Sequence, residues 1–243
     1  MPKQIIHIDS LNSELLSNNP SNYYNCRFNN IGNFKNVTNV KLLSLEMPIA
    51  FNCFRKNSNA TLSFRINGNI INWTIPDSNL AKPFNNIQEL VVILPTVLPG
   101  GFLFAWGVSI FDTINVTTNT TNWNFISTPL LTALGIVPSP TMLSSGMYEG
   151  IGKYNLNADN FISLYIPEIG TNSNNSKISF KIPLTVGPGQ ILYVTENIYY
   201  SQSVNCNISN LNNLTCQFYD RYGNEIQSLS NPWSGTFEIE YND

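Results

Sequence analysis

Few side chains in this sequence could do chemistry, and most of them stand apart from one another. His7 is the only histidine, so a Ser-His-Asp or Cys-His catalytic site would have to be built around it. It lies in the segment I-I-H-I-D, where Asp9 follows two residues later on the same face of a predicted edge strand. We therefore interpret His7 as a paired surface histidine rather than a general base.

The acidic residues are isolated, apart from Glu238 and Glu240. These two alternate with Phe237, Ile239 and Tyr241, which is typical of a terminal strand with one wet face. Two carboxylates for glycoside chemistry need only meet in space, so a hydrolase that uses dispersed acids stays an open alternative. No phosphate-binding glycine loop and no metal-ligand cluster is visible. We therefore predict that the protein is not an enzyme, and assign no catalytic, cofactor-binding or metal-binding residue and no cofactor.

The four cysteines are Cys26, Cys53, Cys206 and Cys216, and their spacing matches no zinc pattern. A chain of this size does not need disulfides to fold, which favours free, buried thiols in a reducing compartment. A bridge between Cys206 and Cys216, facing each other across a hairpin, is the alternative.

Charged residues make up only 11% of the 243 residues, and the net charge is −3, against about 25% charged residues in average soluble proteins. With 42% hydrophobic residues, the chain is expected to fold. Weak repulsion between copies suits a surface that packs against other surfaces, although an AT-rich genome gives the same excess of asparagine. Scattered basic residues argue against nucleic-acid binding. No signal peptide or membrane-spanning segment is predicted, because the longest apolar runs, Leu90 to Leu94 and Leu130 to Val137, are too short.

Short segments of strand character recur along the whole chain. The clearest hairpin is Thr61 to Ile75, in which Leu62, Phe64 and Ile66 alternate before an Asn67-Gly68 turn. Other predicted strands are Gln4 to Ile8, Tyr23 to Phe28, Val37 to Leu45, Phe102 to Phe111, Ile114 to Thr118, Asn122 to Ile126, Phe161 to Ile166, Ile178 to Ile182, Ile191 to Thr195, Leu214 to Tyr219 and Thr236 to Tyr241.

Two helices interrupt the strands. The helical spacing of Ile87, Leu90, Val91 and Leu94 predicts a helix over Asn86 to Leu98, and Thr128 to Leu134 predicts a helical turn closed by Gly135. No strand–helix–strand rhythm is present. The sequence therefore predicts an all-β protein, a single jelly-roll β-sandwich domain over residues 1–243 with one or two short inserted helices and a possible insertion around 128–160.

Three segments resemble a known group of proteins. They are I-H-I-D-S at Ile6 to Ser10, N-V-T-N-V-K-L-L-S-L-E-M-P at Asn36 to Pro48, and F-Y-D-R-Y-G-N-E-I at Phe218 to Ile226 followed by S-G-T-F-E-I-E-Y. T-P-L-L-T-A-L-G-I at Thr128 to Ile136 is similar to a further element. In order and spacing they resemble the jelly-roll minor capsid and penton-like proteins of large cytoplasmic DNA viruses and virophages.

The resemblance implies a structural protein of an icosahedral virion, assembled in the host cytoplasm. It implies a penton-like capsomer at the five-fold vertices, with itself, as a homopentamer, and the major capsid protein as partners. A non-vertex minor capsid (cement) protein and a glycan-binding β-sandwich for attachment are the alternatives. Candidate assembly surfaces are the irregular segments Pro138 to Tyr148, Thr171 to Ser176 and the N-terminal stretch to Asn22, which is alternatively a first strand of the sheet.

Overall fold

The computed structural model describes residues 1–16, 22–51, 54–56, 59–80, 84, 86–109, 112–139, 141–157, 160–170, 178–195, 202–226 and 231–242. The strands are β1 (Lys3–Asp9), β2 (Glu14–Leu15), β3 (Asn25–Pro48), β4 (Thr61–Ile66), β5 (Asn69–Thr74), β6 (Val97–Leu98), β7 (Phe102–Val108), β8 (Ile114–Thr118), β9 (Trp123–Ile126), β10 (Gly146–Glu149), β11 (Phe161–Tyr165), β12 (Phe180–Pro183), β13 (Ile191–Thr195), β14 (Gln202–Tyr219) and β15 (Ser234–Tyr241). The helices are α1 (Asp77–Leu80), α2 (Ile87–Ile93) and α3 (Pro129–Ala133), with a 3-10 turn at Ser10–Asn12.

The predicted all-β class is confirmed, because antiparallel strands dominate and the helices are short. Among the described residues, no helix is long and apolar enough to cross a membrane. Contacts group the chain into two compact units, which we name the sandwich unit (residues 1–51 and 159–243) and the inserted unit (residues 52–158). The predicted organisation as one domain with an insertion around residues 128–160 stays a prediction.

The sandwich unit is organised around β3, which is far longer than the predicted strand at Val37 to Leu45. A straight strand of 24 residues would span about 80 Å. Yet Tyr24 lies next to the beginning of β3, and its hydroxyl donates a hydrogen bond to the carbonyl of Pro48 at the end of the strand. The Phe28 ring likewise packs edge-on against Trp233, with ring centroids 5.7 Å apart. The strand therefore folds back, so that its two halves lie in different layers.

Two irregularities in β3 allow this change of direction. The first lies midway between Tyr24 and Pro48, where Asn36 has φ 48° and the ladders to β14 and to β15 both shift register between Asn39 and Val37.

The second is a bulge nearer the start of the strand. Phe34 stands opposite Leu211 of β14, and the next pair is Asn29 with Asn213, so residues 30–33 of β3 face a single residue of β14. Within the bulge, Asn30 has φ 58° and Gly32 has φ 149°. Both are left-handed values that asparagine and glycine tolerate best.

The sheet of the sandwich unit runs β1-β15-β3-β14-β11-β12, with β13 and β2 also paired to β3. Phe180 of β12 and Phe237 of β15 stand four strands apart in this order, yet their ring centroids are 5.8 Å apart. The sheet is thus rolled onto itself, which is the closure expected of a jelly-roll. Alternate residues, including Ile6, Val40, Leu192 and Ile239, are buried between the layers.

The inserted unit contains the predicted hairpin. Asn67 and Gly68 have φ of 49° and 84°, as a two-residue turn between twisted strands requires. The sheet β5-β4-β9 and the sheet β10-β8-β7-β6 enclose an aromatic cluster. In it the Phe64 and Phe125 ring centroids are 5.3 Å apart, and those of Phe104 and Trp123 are 5.2 Å apart.

Both predicted helices are present but shorter than their sequence patterns. The Asn86 side chain accepts from the Glu89 amide at 3.0 Å and caps α2, and α2 ends at Ile93, before Pro95. Thr128 caps α3 in the same way, and Gly135 follows it with φ 71°.

Helix α2 offers a matched test of this packing. Leu90 is buried in the core of the inserted unit, whereas Val92 on the same helix is 80% exposed. Leu90→Ala should lower the free energy of unfolding by about 2–5 kcal/mol, because it leaves a cavity. The control Val92→Ala should change it by less than about 0.5 kcal/mol. Urea denaturation followed by fluorescence measures both, and equal effects would contradict the assigned helix face.

Candidate assembly surfaces

The single histidine does not form the pair that its spacing suggested. His7 Nδ1 lies 2.9 Å from the hydroxyl oxygen of Thr236 on β15, its register partner across the ladder. Asp9 Oδ1 instead accepts from the Leu11 amide at 2.9 Å and caps the 3-10 turn. His7 is thus a paired surface residue, as predicted, but its partner is a hydroxyl rather than the carboxylate.

The two neighbouring acids of β15 share one lysine. Lys3 Nζ lies 3.0 Å from Glu238 Oε1 and 2.5 Å from Glu240 Oε1. The hydrogen bond from Lys3 lowers the pKa of Glu240, and the hydrogen bonds to both carboxylates raise the pKa of Lys3. Lys3 thus offsets one of the two negative charges of these acids. Among the described residues, no three His, Cys, Asp or Glu side chains group as metal ligands would.

Cys206 and Cys216 do not face each other across a hairpin, so the alternative of a bridge between them is wrong. Cys206 and Cys216 lie ten residues apart on the same strand, β14, so they cannot face each other, and both are free thiols. Cys216 stands directly opposite Cys26 of β3, and both are fully buried. Free, buried thiols are therefore confirmed for these two, while Cys206 is half-buried. Cys53 lies outside the described residues.

Two grooves open on the sandwich unit. One, of about 480 Å³, has Leu11, Pro48 and Ile191 on its walls, with the carboxylates of Asp9 and Glu46 beside them. The other, of about 550 Å³, is lined mainly by polar side chains: His7, Asn12, Asn29, Asn30 and Thr236. In the second groove the His7 imidazole meets the Thr236 hydroxyl. Asp9 Oδ1 accepts from the Leu11 amide, so this carboxylate does not orient the imidazole as the acid of a catalytic triad does. What these linings offer is hydrogen bonding and apolar contact.

Both grooves adjoin the outer face of one part of the sheet, β1-β15-β3-β13. Residues that stand opposite one another on neighbouring strands share a face. The register therefore gives four rows of side chains on this face. The first two rows end on β13, and the last two end at the start of β14. The rows are Asp9, Ser234, Glu46 and Tyr193; His7, Thr236, Ser44 and Thr195; Ile5, Glu238, Lys41 and Ser203; and Lys3, Glu240, Asn39 and Asn205. Ten of these sixteen residues are uncharged, and the charged ones are Lys3, Asp9, Lys41, Glu46, Glu238 and Glu240. Ile5 is 53% and Tyr193 63% exposed.

The segments predicted as assembly loops are partly regular. The N-terminal stretch forms β1, a 3-10 turn and β2, so its alternative reading as a first strand of the sheet is the one observed. The end of the Pro138 to Tyr148 segment belongs to β10, which pairs with β8, and Met147 on it is 68% exposed. Thr171 to Ser176 lies outside the described residues.

The aromatic residues are mainly packing residues, as predicted. Trp123 and Trp233 are buried, as are all the described phenylalanines except Phe102 and Phe161. Among the described residues, Tyr193 and Tyr222 are the aromatic side chains with large exposed fractions, and they lie on different elements. The aromatic row on which sugars stack is therefore not formed by the described part of the chain.

The architecture matches a solved viral structure. The crystal structure of the mavirus penton protein is similar to this chain with a TM-score of 0.55 and 9% sequence identity, covering 98% of this chain and 99% of that chain. The two proteins share a fold. The cryo-EM structure of the Sputnik virophage aligns over 98% of each chain with a TM-score of 0.43 and 10% identity. No protein-family model and no curated protein sequence matches the chain. The likeness to a penton fold, predicted from three short segments, is confirmed.

The buried cysteines give a prediction about pH. Burial raises the pKa of Cys26 to about 12 and that of Cys216 well above its usual range, and it also raises the pKa of the half-buried Cys206. The folded protein keeps Cys26 protonated while the unfolded chain ionises it near pH 9, so the stability that this thiol contributes should fall as pH rises from about 9 to about 12. Urea denaturation across this range measures the loss.

Thiol labelling checks the same burial at constant pH. With iodoacetamide at pH 8, Cys206 should react before Cys26 and Cys216, because only thiolates react and buried thiols are not reached. Peptide mass spectrometry reads the order, and the urea-unfolded chain is the control in which all three react alike. Early modification of Cys26 in the folded protein would contradict this packing.

Proposed function

We propose that this protein is a structural subunit of an icosahedral viral capsid and that it forms the homopentameric penton at the five-fold vertices. The observation that carries the proposal is the shared fold with the mavirus penton protein over nearly the full length of both chains. A fold hosts many functions, so the surfaces of this chain have to support the same conclusion.

The outer face of β1-β15-β3-β13 supports it. Subunits that pack side by side need surfaces whose charges do not repel those of the next copy. Here Lys3 offsets one of the two negative charges of Glu238 and Glu240 within one subunit, and most of the other side chains in the four rows are hydroxyl, amide or apolar. Large apolar residues, Ile5, Ile191 and Tyr193, stay exposed on the isolated chain, as they do on surfaces that a partner covers.

The proposed role is structural rather than catalytic. Its partners are other copies of the same chain and the major capsid protein, and its place is the virion, after assembly in the host cytoplasm. The carboxylates that chemistry would need have structural partners: Asp9 caps the 3-10 turn instead of orienting His7, and the acids of β15 pair with Lys3.

Mass measurement and particle analysis test the proposal. Five chains of 27.2 kDa give about 136 kDa, and light scattering of the purified protein should report this mass at high concentration. A map of purified particles should then show the fold at the five-fold vertices. A protein that stays monomeric and is absent from purified particles would contradict the proposal.

The same experiments separate the alternatives. Density for this fold beneath the capsomers, away from the vertices, would make the protein a cement protein. A monomer that is absent from the shell and binds on a glycan array would make it an attachment module.

A further inference from the structure

The sheet segment β1-β15-β3-β13 ends in two strands that have a partner on one side only. Within the described residues, β1 pairs with β15 alone and β13 pairs with β3 alone. An edge strand presents unpaired amide and carbonyl groups, and proteins usually blunt such edges with lysine, proline, a bulge or extreme shortness.

β13 carries none of these protections in its sequence. Ile191 to Thr195 reads I-L-Y-V-T, which has no charge, no proline and no glycine. Leu192 and Val194 are buried, whereas Ile191 is 48% and Tyr193 63% exposed. This composition has a high intrinsic preference for strand pairing, so the free edge is suited to a further strand.

Along a strand, the backbone groups of alternate residues point to opposite sides. The hydrogen bonds already formed therefore show which backbone groups of β13 and β1 can bond to a further strand. The Ile49 amide donates to the Gln190 carbonyl at 2.8 Å, so even-numbered residues of β13 bond β3, and Ile191, Tyr193 and Thr195 direct their backbone groups away from it. On β1, the Ser10 amide donates to the Trp233 carbonyl. Even-numbered residues therefore bond β15, and the odd-numbered ones direct their backbone groups to the free edge.

The two edges are complementary in direction and in face. Every pair in β1-β15-β3-β13 is antiparallel, so β13 runs opposite to β1. A second copy placed with its β1 along β13 would continue the antiparallel alternation. In both strands the odd-numbered side chains lie on the outer face, so the joined sheet would keep one outer face and one buried face.

We propose that β13 of one copy pairs antiparallel with β1 of the next, with Tyr193 opposite Ile5. Two registers pair the odd-numbered residues of the two strands and cover all of β13. One sets Tyr193 opposite Ile5, and the other sets Tyr193 opposite His7. The first is preferred because it sets an aromatic side chain beside a β-branched one, which is a favourable cross-strand pair. It also places Lys3, already neutralised by Glu238 and Glu240, opposite the uncharged Thr195.

The contact is heterologous, since two different edges meet, and repeated contacts of this kind close into a ring when the rotation between copies allows it. The inference therefore rests on the proposed homo-oligomeric function and names the surface by which it is achieved.

A charge placed on the edge tests the pairing. Tyr193→Lys should raise the concentration needed for half-association at least tenfold in light-scattering measurements, because the lysine protects the edge. The matched control is Ile70→Lys on β5, an edge strand of the inserted unit where Ile70 is 60% exposed, and its association should equal that of the unchanged protein. Circular dichroism and thermal midpoints identify any variant that fails to fold.

Crosslinking of mixed variants tests the partner and the register. A mixture of Ile5→Cys and Tyr193→Cys proteins, treated with a short bis-maleimide, should give a covalent dimer that joins the two variants. Neither variant alone should give this dimer. The unchanged protein, which controls for the native cysteines, should not give it either. A single chain with both changes should give a ladder of larger products.

The outcomes separate this inference from the proposed function. If the unchanged protein is an oligomer, but Tyr193→Lys associates normally and the mixture gives no joined dimer, this interface is wrong and the proposed function stands. Dimers of Tyr193→Cys alone would place β13 against β13 and overturn the pairing. A protein that is monomeric at every concentration, absent from particles and not crosslinked overturns both.

Discussion

The sandwich unit depends on one constraint, which is that β3 serves both layers of the fold. The strand can do so only because it turns within its length, and the hydrogen bond from Tyr24 to Pro48 joins the two ends that the turn brings together. The turn needs backbone angles that most residues avoid, and Asn30, Gly32 and Asn36 supply them. Each half then orders its own neighbours: β14 pairs along most of one edge, while β15 and β13 pair near the end. Core and topology therefore follow from the same folded-back strand.

The same arrangement also decides what the surface looks like. Because residues alternate between faces, every strand that buries Leu192, Val194 or Phe237 must turn its other side chains outward. On β15 the outward residues include Glu238 and Glu240, and Lys3 on β1 pairs with both. On β13 the outward residues are Ile191, Tyr193 and Thr195, and no described strand lies along the outer edge of β13. β1 therefore carries charged side chains and β13 carries none, and this asymmetry distinguishes the two edges.

The sequence predicted local features well, because they depend on residues close together. The Asn67-Gly68 hairpin, the helical turn closed by Gly135 and the bounds of β13 follow from alternation and turn chemistry. Long strands were predicted too short, since the bulge at residues 30–33 breaks alternation and reads as a loop. The partner of His7 lies 229 residues away, a separation at which no spacing rule operates. A hairpin that faces Cys206 toward Cys216 was open as an alternative, because nothing in their spacing reveals that β14 is one strand of 18 residues.

Many of the asparagines have a structural role, which the composition alone does not show. Within the described part of the chain, five non-glycine residues have positive φ, and four of them are asparagines: Asn30, Asn36, Asn67 and Asn122. Asparagine tolerates this region because its short side chain can hydrogen-bond the local backbone. It is also polar without charge, so it keeps turns and outer faces hydrated without adding repulsion between copies. A chain that uses asparagine where others use lysine and glutamate therefore gains bends for its long strands and outer faces that are polar without being charged.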